Sequence, residues 1–270
     1  QGYLRSKFAN LVVINSILLR YGVWADMKCV QLYIFVIYVS ISSSKFLEHR
    51  VLNIERNCGE QNGNIYPWVA LIPLETRTYN PSAKVECIGT LISEQYVITS
   101  SSCLAFVVSK VQFWSNLELL EVEVERWVVY QATNLALLKL KKAVDSDFFS
   151  PICLPSDDLA LIENIDPYTA TWMQNSDDTR IKKAVKTTIV NCQKRDNGLI
   201  CLRPNGGDTI CDRDEGSPIM FSDQNKWTLG GVLNYAYDIH ESICVNSSSV
   251  TGSRITKDAL KWIMHVIKKN

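Results

Sequence analysis

The sequence predicts an all-β protein that ends in one helix, and three observations carry that prediction. From Pro67 onward, short apolar runs alternate with turn-like segments. Between Leu120 and Val129 apolar and charged residues alternate (Leu-Glu-Val-Glu-Val-Glu-Arg-Trp-Val-Val), the period of a strand with one wet face. At the end of the chain, Leu260, Ile263 and Ile267, with Trp262 and Val266, recur at helical spacing, so a helix is expected over Lys257 to Lys268.

In chain order, Trp68 to Leu74 reads as a buried strand, followed by Thr90 to Ile92 and Tyr96 to Thr99. The alternating Leu120 to Val129 comes next, then Asn134 to Leu140 and Trp227 to Leu233. Many short strands separated by turn signals point to a sandwich or a barrel. No internal repeat or low-complexity tract is visible.

Composition narrows the function. The chain has 28 basic and 28 acidic residues, so its formal charge is zero. Nucleic-acid and anionic-membrane binders need a basic field, and neither partner is expected. Nine cysteines fit an exported protein better than a cytosolic one. None forms a Cys-x-x-Cys pair and only His49, His240 and His265 are present, so no metal site and no cofactor are expected.

Ahead of the strands, Met27-Lys28 opens a signal-peptide pattern. The apolar run Val30 to Ile41 follows, then Ser42-Ser43-Ser44, small residues suited to cleavage. The run is about a dozen residues long, against ~20 for a spanning helix. Residues 27–44 are therefore read as a signal peptide, 1–26 as translated sequence upstream of the natural start, and 45–57 as a short leader. Secretion is the expected localisation. Loss of residues 1–44 leaves 24 basic against 27 acidic residues and eight cysteines, enough for four disulfides. Asn246-Ser247-Ser248 is an N-glycosylation sequon.

An ordered series of motifs carries a family resemblance. Cys58-Gly59 precedes Tyr66-Pro67-Trp68-Val69; Cys87-Ile88-Gly89-Thr90-Leu91-Ile92 follows, then Tyr96-Val97-Ile98-Thr99-Ser100-Ser101-Ser102-Cys103. Asn134-Leu135-Ala136-Leu137-Leu138-Lys139-Leu140, Pro151-Ile152-Cys153-Leu154-Pro155 and Cys211-Asp212-Arg213-Asp214-Glu215-Gly216-Ser217-Pro218 complete it. In this order the chain, over 58–270, resembles the chymotrypsin/trypsin-like serine proteases. The resemblance implies two antiparallel six-stranded β-barrels with a C-terminal helix and a cleft between the barrels. It also implies the pairings Cys58–Cys153, Cys87–Cys103, Cys192–Cys201 and Cys211–Cys244.

By the same resemblance, Ser102 stands where the family keeps its catalytic histidine, Asn134 its aspartate, and Glu215 its nucleophilic serine. Catalysis of this type needs a hydroxyl nucleophile, an imidazole base and a carboxylate that orients it. A serine has no basicity near neutral pH, asparagine carries no charge, and an anion at 215 would oppose a developing oxyanion. The chain is thus expected to be a non-enzyme, a pseudoprotease. The specificity pocket is expected to be altered and partly filled. Thr209 takes the place of the aspartate of trypsin-like members, Asn234-Tyr235-Ala236 that of Ser-Trp-Gly, and Ala236 and Ser249 occupy glycine positions. The stretch Asp212-Arg213-Asp214-Glu215 is read as a solvated or self-paired cluster rather than a cation site. No Arg or Lys lies between Cys58 and Pro67, so the usual activating cut is not expected.

The resemblance implies an interaction protein that binds other proteins, among them active serine proteases or their zymogens. Three other readings compete with it: an active endopeptidase, a small-ligand binder that uses the remnant cleft, and a relic without function.

Overall fold

The computed structural model describes residues 58–61, 66–75, 85–114, 119–145, 148–155, 165–174, 180–192, 198–223, 226–234, 244–245 and 249–269. The upstream segment 1–26, the signal peptide 27–44 and the leader 45–57 expected from the sequence lie outside the described residues. So do Tyr235, Ala236, the glycosylation candidate Asn246, and His49 and His240.

The first half of the domain is built from β1 (Val69–Leu74), β2 (Val85–Ser93), β3 (Tyr96–Ser100), the 3-10 turn η1 (Ser101–Ala105), β4 (Lys110–Trp114), β5 (Leu119–Tyr130) and β6 (Leu135–Leu140). The second half runs through β7 (Tyr168–Gln174), β8 (Arg180–Val190), β9 (Leu199–Pro204), β10 (Ile210–Cys211), the short turn η2 (Asp212–Asp214), β11 (Pro218–Asp223), β12 (Lys226–Asn234), β13 (Cys244–Val245) and β14 (Val250–Arg254). The helix α1 (Lys257–Lys268) follows.

These strands form two closed six-stranded barrels, in the orders β1-β2-β3-β6-β5-β4 and β11-β12-β14-β9-β8-β7, and every strand pairing is antiparallel. Counted within each half, the two orders are the same. The fold therefore repeats a topology that the sequence does not repeat. Closure removes the free sheet edges, which is why short strands suffice. Strands β10 and β13 pair in a separate two-stranded sheet.

Burial explains the patterns. Strand β3 is buried at every position, Tyr96 to Ser100, because one face fills its own barrel and the other packs toward β12 of the second. Strand β5 alternates instead, and its outward Glu121 and Glu125 pair with Lys110 of β4 and Lys139 of β6, while Glu123 pairs with Lys141 just beyond β6. Such exposed pairs favour register more than stability.

The barrels meet around Trp68, which is fully buried. Its indole N–H donates to Met220 Sδ at 3.1 Å, and the Tyr66 ring stands edge-on to both Trp68 and Trp227. Helix α1 packs on the first barrel, with Trp262 stacked on Tyr130 at 5.0 Å. Thr256 caps it by accepting the Ala259 N–H at 3.2 Å, and Asp258 and Lys268 complement the helix dipole at opposite ends.

Three disulfides have both partners described: Cys58–Cys153, Cys87–Cys103 and Cys192–Cys201. Cys211 is also disulfide-bonded, and in the β10–β13 register it stands opposite Cys244.

Candidate functional site

Five polar residues converge where the two barrels meet. Ser100 is the last residue of β3, Ser101 and Ser102 open η1, Asn134 immediately precedes β6, and Glu215 follows η2. Pairing of β3 with β6 sets Ser100 opposite Leu135, which delivers Asn134 beside the serines. The Ser101 N–H donates to the Asn134 carbonyl at 3.3 Å and fastens this junction. Glu215 arrives from the other side, placed by η2, which packs on β2 and β7. Its own carbonyl accepts the Ile88 N–H at 2.8 Å, so the second barrel's loop is stitched to β2 of the first.

Asn134 is the hub. Its Nδ2 donates to Ser100 Oγ at 2.9 Å and to Ser102 Oγ at 2.8 Å, while its Oδ1 accepts a short hydrogen bond from Ser101 Oγ. Ser100 Oγ in turn donates to Glu215 Oε1 at 2.7 Å and accepts the Ser102 N–H at 3.3 Å. Each hydroxyl oxygen facing Asn134 Nδ2 thus spends a lone pair on an amide donor. A carboxylate at position 134 would only accept hydrogen bonds; the amide supplies donors as well.

Glu215 is fully buried. Desolvation pushes its carboxyl above the ordinary carboxylate range. The Ser100 hydroxyl, and the Ser102 hydroxyl outside good hydrogen-bonding geometry, oppose that shift without reversing it. Oε2 has no hydrogen-bond partner. The acid expected as an anion at 215 is therefore buried, where ionisation is disfavoured.

Of the solvated or self-paired cluster expected at 212–215, Asp214 and Glu215 are not solvated. Asp214 is as buried as Glu215, and one of its carboxylate oxygens accepts the Cys211 N–H at 2.7 Å. Packing between the barrels takes both side chains out of water. Glu215 approaches the sulfurs of Cys87 and Cys103 to within 4.8 Å, but those sulfurs are joined to each other and provide no thiolate for a metal.

Of the remaining expected site residues, Tyr235 and Ala236 lie outside the described residues. Thr209 and Ser249 are exposed. Asn234, at the end of β12, donates from Nδ2 to Ser253 Oγ at 2.8 Å, and its Oδ1 is buried without a partner. His265 is exposed on α1, and no histidine is among the described residues of the cluster. Sequence reasoning missed Ser100 and Ser101. The signal was available as a run of three hydroxyl residues after an apolar strand and before Cys103.

Two closed barrels of like topology, with polar groups gathered between them, define a trypsin-like fold. Residues 57–248 match the Trypsin family profile, and the chain belongs to that family. Its relatives include a collagenase of Hypoderma lineatum, 24% identical over 256 residues that cover 86% of this chain and 96% of that protein. The Spaetzle-processing enzyme of Drosophila melanogaster is 23% identical over 226 residues, 63% of this chain and 56% of the relative. The CLIP domain-containing serine protease B4 of Anopheles gambiae is 23% identical over 216 residues, 63% of this chain and 59% of the relative. The match thus spans nearly all of the collagenase but little more than half of the other two.

Proposed function

We propose that this chain is a secreted, non-catalytic member of the trypsin family that acts by binding proteins, as a regulator or cofactor of active trypsin-family proteases or their zymogens. The observation that carries the reading is the composition of the Ser102–Asn134–Glu215 cluster. Among the described residues it offers hydroxyls, an amide and a buried acid, but no imidazole to take a proton from a nucleophile. Ser102 takes the place of that base, and its oxygen is already engaged by Asn134. Disulfides support export, because such bonds persist in oxidising compartments. The partner class follows from relatives whose names describe a processing enzyme and a CLIP-domain protease.

The test uses residues 45–270, disulfide-bonded, added to a trypsin-family protease and its zymogen substrate from the same body fluid. The rate of zymogen cleavage is expected to change severalfold as the chain reaches stoichiometric amounts, with no peptide product from the chain alone. An unchanged rate at all concentrations would remove the regulatory role.

A further inference from the structure

We propose that Glu215 is a proton-dependent latch between the two barrels: as the neutral acid it ties the second barrel's loop to the end of β3, and on ionising it releases that loop from the cleft. The latch does not depend on whether the chain is catalytic, because it concerns the resting structure without substrate or partner.

The geometry carries the inference. Glu215 belongs to the loop that leads from η2 into β11, yet its Oε1 accepts from Ser100, a residue of the first barrel, at 2.7 Å. Both ends of that bond are fully buried. Oε2 has no partner in good geometry, so a negative charge there would be met by one well-formed hydroxyl bond, the Ser102 hydroxyl outside that geometry and a wall of low polarity. Burying a carboxylate without a cation is costly, whereas the neutral acid loses far less on desolvation. The wall includes the Cys87–Cys103 disulfide, whose sulfurs lie within 4.8 Å of the carboxylate.

Charge from the surroundings does not offset this. Where β3 and η1 meet Glu215 they contribute the neutral hydroxyls of Ser100 and Ser102, and the start of β6 contributes the Asn134 amide. From β2 come the disulfide and the Ile88 backbone, and from β12 the Leu233 carbonyl, which accepts the Gly216 N–H at 2.9 Å. Strand β7 holds one titratable residue, Tyr168, whose ring packs on Trp227. Within the loop itself, Asp214 is a second acid committed to the Cys211 N–H, and Arg213 is exposed. No described ion pair includes Glu215.

The sign follows from linkage. Burial raises the carboxyl above its unfolded value, so between the ordinary glutamate value of about 4.3 and the raised one the folded state holds a proton that the unfolded state has lost. The contribution of Glu215 to stability therefore declines as pH rises through that window.

Hydrogen exchange of the disulfide-bonded chain, corrected for intrinsic rates, reads the latch directly at the Ile88 and Gly216 amides. In the unaltered protein their protection is expected to fall at least about tenfold as pH rises through the Glu215 titration, equivalent to about 1.4 kcal/mol of local stability. Glu215→Gln keeps an acceptor for Ser100 but cannot ionise, so its protection should stay constant. Ser100→Ala removes the tie and should lower protection even in acid. Parallel loss of protection in the wild type and the Gln variant would overturn the latch. Should the Gln variant not fold, isotope-edited infrared spectroscopy of the unaltered chain decides. A protonated glutamic-acid band that persists above the ordinary glutamate range supports the latch, and titration of every glutamate within that range overturns it.

Discussion

Peptide-bond turnover by this chain is expected to lie at least about 10⁶-fold below that of an active trypsin-family protease, the loss that follows removal of a catalytic triad. The expectation rests on the groups gathered at the Ser102–Asn134–Glu215 cluster. Ser102 and Asn134 offer no site that accepts a proton near neutral pH, and the Asn134 amide donates to the serine oxygens instead of orienting a base. Glu215 is tied to Ser100 and buried. The single replacement Glu215→Ser is accordingly expected to leave turnover at background, because a serine without an adjacent base stays a weak nucleophile. Steady-state assays with a panel of peptide amides, run beside an active family member at equal concentration, measure the difference. Recovery of turnover by Glu215→Ser alone would mean that a base operates at this site.

Gly216→Ala is expected to destabilise the fold by more than about 3 kcal/mol. Gly216 has φ +85°, where a side chain itself costs about 1–2 kcal/mol. An added Cβ would lie 2.0 Å from the Ile88 carbonyl oxygen and 2.4 Å from Thr99 Oγ1. Neither neighbour can retreat cheaply. Ile88 is bound through its N–H to the Glu215 carbonyl, and Thr99 Oγ1 donates to the Ile88 carbonyl at 2.7 Å. The substitution therefore acts at the seam between the barrels rather than within one of them. Urea unfolding of the two proteins measures the loss; a midpoint unchanged within error would show that the seam yields without cost. Ala at Gly206 serves as control. It shares a positive φ of 67° but meets nothing within 4 Å, so only the backbone cost should appear.

What was legible in the sequence follows from how strands are held. Tyr96–Ser100 and Leu135–Leu140 were readable because they are buried nearly throughout and rich in β-branched and aliphatic residues. Leu119–Tyr130 was readable because one face is wet. Strand β8 was not: Arg180, Lys182, Lys183 and Lys186 crowd it with charge, and pairing to β7 and β9 makes it a strand. Strand β4 alternates, but over five residues, too few to stand out. Helix α1 matched its expected bounds because cap, dipole and apolar stripe agree.

At the site, the residue types at 102, 134 and 215 were legible from motif order. Their hydrogen bonding was not. The direction of the Glu215 side chain depends on two barrels closing around it, and local sequence carries no signal of that burial. An acidic run reads as surface by composition, yet Asp214 and Glu215 are both inside.

The most direct test of the proposed absence of catalysis is labelling with a fluorophosphonate probe, which bonds covalently only to an activated serine. Under conditions in which an active trypsin-family protease is fully labelled, this chain is expected to take up no probe. Stoichiometric labelling, mapped by mass spectrometry to any serine of the Ser100–Ser102 run, would contradict the account and make the chain a hydrolase.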